Sequence, residues 1–90
     1  MKPDVEIHPN ALKHMGRDDV LAAWQTVTKS IMRASDDEPP RWLCVGWLPN
    51  GVSVEIIAVE QVGGWLIIHA NTPVRKKFAK EIRDTERRTR

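Results

Sequence analysis

Residues 41–71 read RWLCVGWLPNGVSVEIIAVEQVGGWLIIHAN, and the fold is decided in this stretch. It contains three runs rich in β-branched and aromatic residues, 41–48, 52–60 and one from residue 65 to 72, each bounded by turn residues. Pro49-Asn50-Gly51 divides the first two. Asn-Gly is a strong hairpin signal because both residues tolerate positive φ. A two-residue turn there pairs Trp47 with Val54, Val45 with Ile56 and Leu43 with Ala58, and sets Gly46 opposite Glu55 and Cys44 opposite Ile57. Gly63-Gly64 introduces the third run. A two-residue Gly-Gly turn pairs Ala58 with His69, whereas a three-residue loop, Val62-Gly63-Gly64, pairs Ile57 with His69 and Glu55 with Asn71. One residue of slip turns His69 to the other face. The three-residue loop is preferred, since it gathers Val54, Ile56, Ala58, Leu66, Ile68 and Ala70 on one apolar face with Leu43, Val45 and Trp47. The opposite face then carries Trp42, Cys44, Gly46, Glu55, Ile57, Val59, Trp65, Ile67, His69 and Asn71. A face so apolar calls for a partner, a ligand or the closing helix to cover it.

Upstream, Val5-Glu6-Ile7-His8 alternates as a short edge strand would, limited by Pro9. Asn10 can cap a brief helix through Ala11-Leu12-Lys13-His14, ended by Gly16. A longer helix is expected from Arg17 to Arg33, with Asp18 and Asp19 at its positive end and Val20, Trp24, Val27 and Ile31 forming a buried stripe. The acidic run ending in Pro39-Pro40 breaks it. Downstream, Pro73 suits the first position of a closing helix, in which Val74, Phe78 and Ile82 step by four. Lys77 and Glu81, and Lys80 and Asp84, lie one turn apart and can pair. Residues 1–86 therefore read as one α+β domain: a small antiparallel β-sheet with two N-terminal helices packed on one face and a basic C-terminal helix. Residues 87–90 read as a frayed basic tail.

Composition sets the bounds. Ninety residues with 41% hydrophobic and 29% charged side chains suit one globular domain and exclude a multidomain enzyme. No apolar run approaches the roughly 20 residues of a membrane helix, and the start of the chain lacks the apolar stretch of a secretory signal. Cys44, the one cysteine, can form neither an internal disulfide nor a thiolate metal cluster. His8 and His14 are six apart, so a zinc site is not expected. No Gly-rich phosphate loop and no Gly-x-Ser-x-Gly elbow is present. A cytoplasmic chain without cofactor or metal is the expectation. The net charge of +2 conceals a division: residues 73–90 hold eight bases against three acids, the first 72 residues six bases against nine acids. A basic end on an acidic body suits nucleic acid, an anionic membrane or an acidic protein, and equally a plain solvated helix.

Glu55 and His69 are the acid–base pair that the expected sheet brings together. A carboxylate and an imidazole can share proton transfer in phosphodiester cleavage. Arg75 or Lys76 could stabilise the charge growing on phosphorus, and RNA supplies its own nucleophile in the 2′-OH. The plainer reading is a half-buried strand histidine bonded to a neighbour, beside a solvated strand carboxylate. Trp42, Trp47 and Trp65 could stack on bases, or simply pack.

Several of these parts resemble the BrnT-like branch of the RelE/ParE-type toxins. They are Lys13-His14 with Asp18-Asp19-Val20 soon after, Glu55 on the middle strand, Ile68-His69-Ala70, and Arg75-Lys76-Lys77-Phe78. The resemblance implies the toxin of a toxin–antitoxin pair: a metal-independent, cytoplasmic endoribonuclease that inhibits translation, sometimes at the ribosome, and is neutralised by a cognate antitoxin protein. On that resemblance Glu55, His69 and Arg75 would be catalytic, and His14, Lys76, Lys77 and Lys80 would bind RNA. The segment after His14 departs from the family's pattern by one residue, and the absence of tyrosine excludes tyrosine-assisted cleavage. The alternative is a catalytically inactive RelE-like module that binds protein or nucleic acid.

Overall fold

The computed structural model describes residues 4–88. Five strands form one sheet: β1 (Asp4–Ile7), β2 (Lys29–Met32), β3 (Arg41–Trp47), β4 (Ser53–Gln61) and β5 (Gly64–Asn71). Their order is β1-β5-β4-β3-β2, and the helices are α1 (Arg17–Gln25) and α2 (Lys76–Arg88). β1 lies parallel to β5 and the other neighbours are antiparallel, so the sheet is mixed rather than purely antiparallel. The α+β class is as expected, but the pair of N-terminal helices is not. Pro9–Leu12 is a single 3-10 turn, and α1 stops at Gln25. Thr26 and Thr28 flank Val27 and, being β-branched like it, resist the helix. The Thr26 hydroxyl bonds back to the Ala22 and Ala23 carbonyls and across to the backbone of Trp47. The chain then enters β2 as an edge strand, where Ile31 pairs with Leu43.

The β3–β4 register differs by one residue from the sequence reading: Gly46 pairs with Val54, Val45 with Glu55 and Leu43 with Ile57. Pro49 is the cause. Its fixed φ suits the second position of a type I turn, and the Gly51 N–H closes that turn on the Leu48 carbonyl at 2.9 Å. Gly51 takes φ +87° while Asn50 does not reach positive φ, which makes a three-residue loop. The slip moves Leu43 and Val45 to the face opposite α1 and brings Trp42, Cys44 and Gly46 beneath it.

The β4–β5 hairpin turns at Val62-Gly63, with Gly63 at φ +81°. Pairing starts at Gln61–Gly64, shifts by one residue between Ile57 and Ala58, and continues as Ile57–His69 and Glu55–Asn71. The preferred pairing therefore holds at the far end of the hairpin, reached through a shorter turn plus a bulge. Because of that bulge, Trp65 and Ile67 pack on the α1 side, not on the side of His69.

Each face of the sheet has its own core. On one, Val20 and Ala23 of α1 meet Cys44, Val54, Ile56, Ala58, Ile67 and Ala70, with Trp24, Trp42 and Trp65 clustered at the margin. On the other, Phe78 and Ile82 of α2 close over Leu43, flanked by Ile31, Val45, Ile57 and Val74. The closing helix is thus the cover that the second apolar face required. α2 begins at Lys76, three residues later than Pro73, and continues through Arg87 and Arg88. Residues 89–90 lie outside the described residues. No described helix is long and apolar enough to cross a membrane.

Candidate functional site: a buried carboxylate holding a histidine and an arginine

Glu55 sits in the middle of β4 with 0% of its surface exposed. Strand alternation points it to the α2 face, diagonal to His69, which lies directly across from Ile57. A lone carboxylate could not be buried here at tolerable cost, and it is fully partnered. His69 Nε2 lies 2.8 Å from Oε2. The Arg75 guanidinium donates through Nη2 to Oε2 at 2.7 Å and through Nε to both oxygens, and the Arg75 backbone N–H donates to Oε1 at 2.9 Å.

The segment between β5 and α2 places Arg75. The Thr72 hydroxyl donates to the Ser53 carbonyl at 2.7 Å, and the Val74 N–H donates to Ser53 Oγ at 3.1 Å. Residues 72–75 are thereby strapped along β4 before the helix opens. Pro73, expected as the first helical residue, belongs to this strap.

Burial alone would raise the Glu55 carboxyl. The hydrogen bonds from the Arg75 side chain and backbone and from His69 outweigh that effect, and the carboxyl ends below its usual value of 4.5. The same contact holds Arg75 protonated. An ionised carboxylate only accepts, so His69 Nε2 carries a proton and, in the neutral ring, Nδ1 keeps the free lone pair. Both partners reach solvent: the His69 side chain is 26% exposed and that of Arg75 58%. The arrangement fixes the tautomer and orientation of an imidazole next to a fixed cation. Glu55 itself is out of contact with solvent. In this geometry Glu55 meets His69 and Arg75 and has no exposed surface of its own.

The remaining expected residues separate. Lys77 lines a pocket of about 210 Å³ with Arg33, Ile57, His69, Arg75, Phe78 and Glu81. Lys80 pairs with Asp84 at 2.7 Å along an adjoining groove, and this contact holds the Asp84 carboxyl low. Lys76 is exposed at the start of α2. His14 is not brought to this cluster: its segment is anchored by Ala11 and Met15 in the core beneath α1. The tryptophans are elsewhere too. Trp65 packs against both Trp24 and Trp42, and Trp47 donates its indole N–H to the Thr28 hydroxyl. Burial pushes the Cys44 thiol up to about 11, as suits a small core hydrophobe.

Arg33 is the pocket residue that sequence reasoning missed, because it was assigned to a helix. At the end of β2 its Nε and Nη2 donate to the two oxygens of Glu81, at 2.6 and 3.1 Å. The expected Lys77–Glu81 pair is displaced by this contact. A scan against protein-family models finds no match for this chain, and neither a search of curated proteins nor one of solved structures finds one.

Proposed function

We propose that the protein is an endoribonuclease of the kind found in toxin–antitoxin pairs. His69 moves the proton, Arg75 binds the phosphate, and Glu55 positions both. The observation that carries this reading is the fully buried Glu55 carboxylate, spent on fixing an imidazole and a guanidinium that both reach the surface. Neutral His69 accepts the proton of the 2′-OH at its free nitrogen as the oxygen attacks phosphorus. The P–O5′ bond breaks as the new P–O2′ bond forms, the 5′-oxygen takes a proton from water, the imidazolium of His69 returns its proton to water, and the product carries a 2′,3′-cyclic phosphate. Arg75 stabilises the negative charge that builds on the phosphoryl oxygens. On the same resemblance the RNA is messenger RNA, free or on the ribosome, and a cognate antitoxin protein holds the toxin in check in the cytoplasm.

The test is cleavage of a single-stranded RNA by the purified chain, with growth arrest on expression as the cellular counterpart. His69→Ala should lower the cleavage rate by about 10²–10⁴, the range for a lost general acid–base group, while the fold survives. A deoxyribose at the scissile position should abolish cleavage. Unchanged cleavage in His69→Ala would remove the assignment.

A second reading has its own support in the completeness of the Glu55 contacts and in the cover that α2 lays over the same face. In it the cluster is only a clasp between β4 and α2, and the protein is a binding module. That reading predicts RNA binding that weakens steeply with salt, no cleavage, and indifference to His69→Ala.

A further inference from the structure

The pocket that contains His69 and Arg75 has a second wall, built by β2 and α2. Arg33 contributes its guanidinium from the end of β2, and Lys77 its ammonium from the first turn of α2. Ile57 and Phe78 supply apolar surface between the two walls. Three features separate this arrangement from an ordinary basic surface. Arg33 is held rather than mobile, since Glu81 grips it through Nε and Nη2 and leaves Nη1 outside the pair. Glu81 is engaged by that grip, and Lys77, one turn before it, has no carboxylate partner among the described residues. The volume, about 210 Å³, exceeds what one phosphate group needs. Arg75 with the His69 imidazole, and Arg33 with Lys77, thus stand in one shallow recess with an apolar strip.

We infer that Arg33 and Lys77 form a second anion subsite, which takes a phosphate next to the one bound at His69 and Arg75. The ligand class is one nucleotide unit of a single strand with a phosphate at each end. Its sugar or base lies against Ile57 and Phe78. Glu81 is a positioning residue that orients Arg33. The inference rests on the reading of His69 and Arg75 as the site of phosphate chemistry and adds the requirement for a second phosphate. A dinucleoside monophosphate fills only the first subsite; a trinucleoside diphosphate fills both.

The experiment measures binding to the full chain carrying His69→Ala, so that cleavage is slowed, with these two probes at low salt. Adding Arg33→Ala should weaken the trinucleoside diphosphate about tenfold and leave the dinucleoside monophosphate unchanged. On a longer single strand the slope of log K against log salt should fall by about 0.7, the loss of one phosphate contact. Arg83→Ala removes a charge from another flank of α2, beside Val45 and Ala79, and should leave the preference between probes intact. Far-UV circular dichroism confirms that each variant is folded. Equal weakening of both probes by Arg33→Ala, or equal effects of Arg33→Ala and Arg83→Ala, would overturn the second subsite. Absence of cleavage by the unmodified chain would instead overturn the nuclease reading and leave the binding result standing.

Discussion

Glu55 has no solvent of its own, so its charge depends on two neighbours that do. Replacing the carboxylate by its neutral amide leaves a buried NH2 facing the Arg75 and His69 donors and removes the charge-assisted hydrogen bonds. Glu55→Gln should lower stability by about 1–3 kcal/mol at neutral pH, measured by urea unfolding. The pH dependence has a definite sign. The folded carboxyl titrates below its usual 4.5, so its contribution is complete above that value and is lost as pH falls through the lower, folded one. The stability gap between wild type and Glu55→Gln should therefore be constant at neutral pH and narrow in acid. A gap that widened on acidification would mean that the carboxyl is protonated in the folded protein.

The strands β3, β4 and β5 and the docking stripe of α2 were legible at the level of elements. Alternation and turn residues mark the strands, and Phe78 and Ile82 mark the helix face that does pack, with Val74 against it from the strap before the helix. The meeting of Glu55 with His69 was legible as well, because the pairing Ile57–His69 survives the bulge. What was not legible depended on choices between near-equal local options. Pro49 converts an Asn-Gly signal into a three-residue loop, and the whole of β3 turns over with it. Val27 and Ile31 satisfy a helical period, yet one joins the margin of the α1 core and the other sits in an edge strand. Arg33 was lost to the site by that same assignment. Gly46 shows the consequence most sharply. Expected on the Glu55 face, it lies instead under α1, where an added Cβ would run into the carbonyl of Ala23. Gly46→Ala should cost about 1–3 kcal/mol through the forced shift of α1, whereas Gly16→Ala meets open space. Equal thermal stability of the two variants would show that α1 does not rest on β3 as described.

For the molecule as a whole, the sheet is a shared wall between two cores of different duty. The α1 side is the larger and contains no part of the Glu55 cluster; the α2 side is smaller and holds that cluster at its edge. Beyond Phe78 and Ile82, α2 is tied down by Arg33–Glu81 and Lys29–Glu86, both partly exposed pairs that contribute little alone. The integrity of the site should thus depend on one small apolar contact. Phe78→Ala and Ile67→Ala remove large buried side chains from opposite faces, 4% and 0% exposed. Both should destabilise by a few kcal/mol, of the order of 2–5. Their effects on the native state should differ. In Phe78→Ala the cover over Ile57 loosens, and the ring signals of His69 should move toward those of a solvated imidazole in the NMR spectrum. In Ile67→Ala they should stay where they are, although Ile67 is only two residues from His69, because the bulge sends the two side chains to opposite sides. Equal shifts in both variants would mean that the sheet transmits packing changes across its thickness, and the division of labour between the two faces would have to be abandoned.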